Sequence, residues 1–340
     1  MFRDAIRRFY EEYYSSVDFR HWQNNFACDV YKELKPYVTP AKLKEVPKVR
    51  ALCEAMSDRH YKGLRIESRM IHGYGNSGVE FDYMGEKSCK ELADMAVVSL
   101  VTFCGDIVFL KTAFIQNKDS KDTPDKWNID QEQLFLLKNF PTFTGTRGIF
   151  RGREFTFLNH SGTLGNFGLF SSKCETAFLT ARNTFCNQQS NGVITFENVK
   201  NGAIAYNPQF ATNTYFRRCG RNCDWDCMDC KHCNSLKCGV AAFGTNLPFF
   251  GNYRYALDVH EIVREFTYFN IGEISMAFRR VIDMDLYRYT SELIKSMLGH
   301  NIGKDYFKRG DIKLTENIEG DGFGMNVIFA HLELGENGNL

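Results

Sequence analysis

The chain has 340 residues, 44% of them hydrophobic, and a formal net charge of +1 at pH 7. That is enough apolar material for a sizeable core, in one large domain or two ordinary ones. The near-zero charge excludes a general pull towards nucleic acid or anionic membrane, so any such surface must be local. No run of eighteen or more apolar residues occurs, which excludes a membrane span read from hydropathy.

The N-terminus, Met1-Phe-Arg-Asp-Ala-Ile-Arg-Arg-Phe-Tyr-Glu-Glu12, is charged and amphipathic, unlike a signal peptide. It predicts a cytoplasmic protein whose cysteines stay reduced. Phe2, Ile6, Phe9, Tyr10 and Tyr13 recur at helical spacing. Asp18 is a cap for a second helix carrying Trp22, Phe26, Val30 and Leu34, stopped by Pro36. Pro40 and Pro47 punctuate a third helical region ending near Met56. Strand periodicity begins at Val79, where Val79-Glu-Phe-Asp-Tyr-Met84 alternates.

Two apolar runs follow, Glu91 to Leu100 and Ile107 to Lys118, each reading as a strand. After a polar loop (119–126), Asp130 and Gln133 form a capping box. Ile129 and Leu134 form its hydrophobic staple, and Pro141 ends the helix. Another strand is expected from Gly148 to about Leu158. Beyond 160 the chain is rich in Gly, Asn and Phe and suggests only short strands and turns. Asp258 and Glu261 form a capping box for a helix reaching about Asn270. Asp285 to Leu298 reads as a helix with Leu286, Leu293, Ile294 and Met297 inward, ending at Gly299. Val327 to Leu334 reads as an edge strand. His72, His160, His260 and His300 are isolated and read as satisfied polar residues.

A hairpin of the two apolar runs would bring Asp94, Gln116 and Lys118 to one sheet edge. An acid, a second oxygen ligand and a lysine at one edge can hold a divalent metal and steady a phosphate. An acid in an otherwise apolar strand is also costly to bury without a partner.

These residues, and the order helix, three strands, helix, strand, resemble the PD-(D/E)XK superfamily of restriction-endonuclease-like nucleases, over roughly 60–160. The resemblance implies a catalytic set of Asp94, Gln116 and Lys118, with Glu67 matching a glutamate that some members carry on a preceding helix. It implies Mg²⁺ held by Asp94 and the Gln116 side-chain carbonyl, with the backbone carbonyl of Asn117 as a further ligand. Lys118 would position the attacking water. Gln116 stands where the pattern has an acid, and no proline precedes Asp94.

Arg147, Arg151 and Arg153 alternate in the expected fourth strand, as a row for phosphates or as a solvated face. Arg217, Arg218 and Arg221 offer a second basic patch. Gln131 and Gln133 read as cap and solvated surface rather than as phosphate contacts. Cys219, Cys223, Cys227, Cys230, Cys233 and Cys238 pack six thiols into twenty residues, with His232 among them. Such density points to metal. The spacing leaves open which four residues bind, and whether the group is structural Zn²⁺ or an iron–sulfur cluster.

The sequence therefore predicts an α/β protein: a restriction-endonuclease-like mixed sheet flanked by helices, with a Cys-rich metal module and C-terminal helices. The expected segments are an N-terminal helical region (1–60), a nuclease-like core (61–200), the Cys-rich module (215–240) and a C-terminal helical region (250–340). The expected function is Mg²⁺-dependent hydrolysis of DNA phosphodiester bonds, in restriction or anti-phage defence by resemblance. The alternative is a non-catalytic zinc protein with an inert core that binds nucleic acid or a partner. DNA is the expected partner, with a protein partner or homo-oligomer possible and no membrane.

Overall fold

A computed structural model of the chain describes residues 2–38, 45–71, 78–120, 125–159, 162–171, 176–189, 192–206, 254–298 and 325–335. The Cys-rich module, the arginines at 217, 218 and 221, and His72, His160 and His300 lie outside these residues.

The helices are α1 (Phe2–Phe9, running into a π-turn at Tyr10–Tyr14), α2 (Val17–Val38), α3 (Glu45–Met56), α4 (Gln131–Asn139), α5 (Ala181–Asn187), α6 (Phe196–Tyr206), α7 (Val259–Thr267) and α8 (Met284–Leu298). The strands are β1 (Arg59–Tyr61), β2 (Leu64–Ile71), β3 (Gly78–Tyr83), β4 (Glu86–Glu91), β5 (Met95–Phe103), β6 (Asp106–Asp119), β7 (Lys126–Asn128) and β8 (Phe143–Gly145). They continue with β9 (Glu154–Phe155), β10 (Gly165–Phe170), β11 (Thr176–Thr180), β12 (Val193–Thr195), β13 (Tyr255–Ala256), β14 (Glu273–Ala277), β15 (Arg280–Val281) and β16 (Met325–Leu334).

One mixed sheet runs in the order β1-β2-β16-β5-β6-β10-β11-β13, with β14 pairing the first half of β6 and β15 pairing β14. β16 is parallel to β5 and β10 is parallel to β6, whereas β5 and β6 are antiparallel. Alternate residues of β5 enter two cores. Met95, Val97 and Val101 pack with α1, α2, α3 and α7, while Ala96, Val98 and Leu100 pack with α4 and α8. The chain is thus a mixed α/β protein whose sheet carries helices on both faces. Segments 1–60, 61–200 and 250–340 all contribute to this sheet and its two helical layers. No helix among the described residues is long and apolar enough to cross a membrane.

Several local expectations need correction. Ser16 caps α2 through its hydroxyl, which accepts from the Phe19 N–H at 3.1 Å; Asp18 lies inside the first turn. Pro36 does not stop α2, which continues to Val38. The strand at Val79 does not join the main sheet. Met84 and Gly85, both at positive φ, turn it back onto β4, in a separate sheet ordered β4-β3-β8-β9. The final strand, β16, is not an edge: nine of its ten residues are buried, and it lies between β2 and β5. A nearly unbroken apolar run marks a strand covered on both faces.

In place of the strand expected over Gly148–Leu158 stand a 3₁₀ turn (Gly148–Phe150), the two-residue β9 and irregular chain. The strand that follows α4 in the main sheet is β10, Gly165-Asn-Phe-Gly-Leu-Phe170. A Cβ on Gly165 would lie 2.0 Å from the Leu137 carbonyl of α4, so only glycine lets the helix settle on the strand. Gly165→Ala is expected to destabilise the fold by about 2–3 kcal/mol through forced separation of α4 from β10. Chemical denaturation would show this as a lower midpoint with an unchanged slope.

Candidate active site

β5 and β6 form a hairpin whose two-residue turn, Cys104-Gly105, has positive φ at both positions. Its register sets Met95 opposite Ile115, so Asp94, one residue before β5, falls beside Gln116. The Asp94 carboxylate oxygen Oδ2 accepts the Gln116 Nε2–H and the Asn117 backbone N–H, both at 2.6 Å. The Asp94 carbonyl accepts the Asn326 N–H of β16 at 3.0 Å, which fixes the bend from the far side. Strand alternation puts Gln116 and Lys118 on one face of β6 and Asn117 on the other. The structure thus gathers Asp94, Gln116 and Lys118 at one sheet edge.

Gln133 is not solvated surface. It is 6% exposed, and its Nε2 donates to the Gln116 Oε1 at 2.7 Å and to the Glu91 carbonyl at 2.5 Å. Asp130 does cap α4, accepting the Gln133 N–H at 3.0 Å, but the Gln133 side chain turns into the site instead of closing the capping box. Gln131 stays near the surface, bonded to the Ile129 carbonyl and to Gln188.

Glu67 is not on a helix. It lies on β2, opposite Phe329, which is opposite Val98. That register separates it from Asp94 by four residues along the sheet and two strands across, roughly 15 Å. An acid on a helix does reach this edge: Glu45, the first residue of α3. Its carboxyl lies near the Asp119 backbone and feels the charges of Asp94, Lys118 and Asp119. Next to it the buried Lys48 of α3 pairs with Asp119 at 2.5 Å and ties α3 to the end of β6. Glu45 carried no distinguishing signal, because an acid in the first turn of a helix is what the helix dipole favours anywhere.

Both carboxyls are held above their ordinary range. Burial raises Asp94 to about 6, against its bonds from Asn117 and Gln116 and the charge of Lys118, with Glu91 adding repulsion. Burial also raises Glu45 to about 7, helped by the negative charge of Asp94. Among the described residues no group of three or more His, Cys, Asp or Glu is arranged to hold a metal.

Arg147, Arg151 and Arg153 are all exposed, but they do not share a strand face. Arg147 precedes the 3₁₀ turn, Arg151 follows it, and Arg153 sits 3.6 Å from Glu292 of α8. Asp106 lies at the far end of β6 and pairs with Arg279, away from Asp94.

Comparison with protein-family profiles, curated proteins and solved structures finds no match for this chain.

Proposed function

We propose that the protein is a metal-dependent endonuclease with a restriction-endonuclease-like core that hydrolyses DNA phosphodiester bonds, in restriction or anti-phage defence. The observation that carries this reading is the convergence of Asp94, Glu45 and Lys118 at one sheet edge. Two raised carboxyls beside a lysine form a site that a hard divalent cation would relieve of repulsion. The donors present suit Mg²⁺ if Asp94 and Glu45 hold it and waters complete its octahedron. When bound, the cation would supply Lewis acidity to the phosphate and acidify a water. Lys118 would orient that water and offset charge on the phosphate. The Asn117 N–H and the Gln116 amide hold the Asp94 carboxylate in place. Zn²⁺ or an iron–sulfur cluster in the Cys-rich module belongs to the same proposal, as does DNA contact through the exposed arginines 147, 151 and 153.

The test is cleavage of plasmid and phage DNA, modified and unmodified, with Mg²⁺ or Mn²⁺, by the parent and by Asp94→Ala. Cleavage present in the parent and absent in the variant is expected. Equal cleavage by both would place the centre elsewhere.

The raised carboxyls also predict a pH effect. Each has a folded value above its unfolded one, so each favours the folded state at low pH. That stability is lost as pH rises through about 6 for Asp94 and about 7 for Glu45. A tenfold change in proton affinity corresponds to about 1.4 kcal/mol, so the combined loss is on the order of a few kcal/mol. In Mg²⁺-free buffer the Tm is expected to fall between pH 5 and pH 8. Added Mg²⁺ should restore it at pH 8 and do little at pH 5, where the carboxyls are protonated. Equal Mg²⁺ effects on Tm at both pH values would remove the carboxyls from the metal site.

A further inference from the structure

The Gln116 amide has its direction imposed from both ends. At one end lies Asp94, whose carboxylate oxygen only accepts, 2.6 Å from the Gln116 Nε2. At the other lies Gln133, whose Nε2 has two hydrogens and uses both, one on the Glu91 carbonyl and one on the Gln116 Oε1. A backbone carbonyl also only accepts, so the Glu91 carbonyl fixes the Gln133 amide, and Gln133 in turn fixes Gln116. Turning Gln116 over would set its oxygen against the Asp94 carboxylate and its NH₂ against the NH₂ of Gln133. Both glutamines are nearly buried, at 4% and 6% exposure, so water offers no easy substitute for either bond.

We infer that Gln133 is a positioning residue that locks Gln116 as a hydrogen-bond donor to Asp94, and that Gln116 therefore does not ligate the metal through its side-chain carbonyl. The second half rests on the site being a metal centre. On this assignment the chain has exchanged an anionic ligand for a brace. The centre then holds its cation with the Asp94 and Glu45 carboxylates, while the glutamine pair sets the angle at which Asp94 meets it. The direction of the relay is dictated by a main-chain carbonyl, an acceptor that no side-chain substitution removes.

The test follows the side-chain NH₂ of Gln116 by NMR in ¹⁵N-labelled full-length protein, assigned by its loss in Gln116→Met. In the parent this NH₂ is expected to be protected from solvent exchange, both without Mg²⁺ and at saturating Mg²⁺. Gln133→Met, similar in length but unable to donate, is expected to speed its exchange about tenfold. The backbone amides of Phe114 and Ser120, bonded within the sheet region at 2.7 and 3.0 Å, should keep their protection, which separates loss of the relay from loss of fold. Unchanged exchange in Gln133→Met would overturn the positioning role. Loss of protection in the parent on adding Mg²⁺ would overturn the donor assignment and return Gln116 to the ligand set. If Mg²⁺ perturbs no resonance at this edge, the metal-centre reading fails, and the relay stands or falls on the metal-free exchange rates alone.

Discussion

Asp94→Asn is expected to reduce DNA cleavage by about 10³-fold or more while raising the stability of the protein at pH 8. The two effects have one cause. An asparagine oxygen can accept the Gln116 and Asn117 N–H bonds as the carboxylate does, so the bend before β5 is kept. What disappears is a buried negative charge that the fold already disfavours, since burial holds this carboxyl up at about 6. Removing it should raise the Tm by several degrees at pH 8, the pattern expected where a site holds strain for the sake of activity. The same charge anchors the cation in the proposed mechanism, and its loss forfeits several kcal/mol of transition-state stabilisation. Cleavage kinetics and thermal unfolding on the same preparation check both. An inactive variant that is also destabilised would mark Asp94 as a structural residue.

Removal of the chain from Met325 onward is expected to abolish folding. β16 is paired along its length on both sides, with β2 from Ile71 to Leu64 and with β5 from Met95 to Phe103. Val327, Ile328, Phe329, Ala330, Leu332 and Leu334 are all buried, divided between the two cores. At about 1.5–3 kcal/mol for each larger side chain, their loss is comparable to the whole stability of an ordinary domain. β5 would also be left as a long apolar edge, which aggregates. The milder Phe329→Ala should cost about 3–5 kcal/mol, whereas Glu333→Ala, at the exposed position of the strand, should cost under about 0.5 kcal/mol. Soluble yield and circular dichroism decide the truncation, and denaturant midpoints decide the point variants.

Much of the architecture was written in periodicity. α2, α3, α4, α7 and α8, and the β5–β6 hairpin, follow from spacing, caps and apolar runs. The pairing of Asp94 with Gln116 follows from that hairpin's register. What stayed illegible had physical reasons. β10 hides because its glycines, read locally as turn residues, are there for close approach: Gly165 to α4, and Gly168 to the Asn117 side chain. The central position of β16 was unreadable because strand order is a long-range property, set by partners more than 200 residues away. The arginines at 147, 151 and 153 alternate in sequence, but the intervening 3₁₀ turn destroys the period. Glu45 is indistinguishable in sequence from any acid at a helix start. Gln133 looked like half of a capping box, because the sequence motif for closing a cap and the motif for reaching into a sheet edge are the same.

The place of β16 bears on when this protein can become active during its synthesis. The strand that braces Asp94, through the Asn326 N–H, lies 232 residues further along the chain. A ribosome must release everything from β2 through β16 before that strand can slot between β2 and β5. Until then the hairpin bearing Asp94 and Lys118 has one unpaired side and no fixed bend. A nascent chain that has not yet released β16 would therefore lack the brace on Asp94. Closure depends on a contact spanning most of the sequence, which slows the final step of folding. For a protein proposed to cut DNA, the order of translation itself would act as a safety catch.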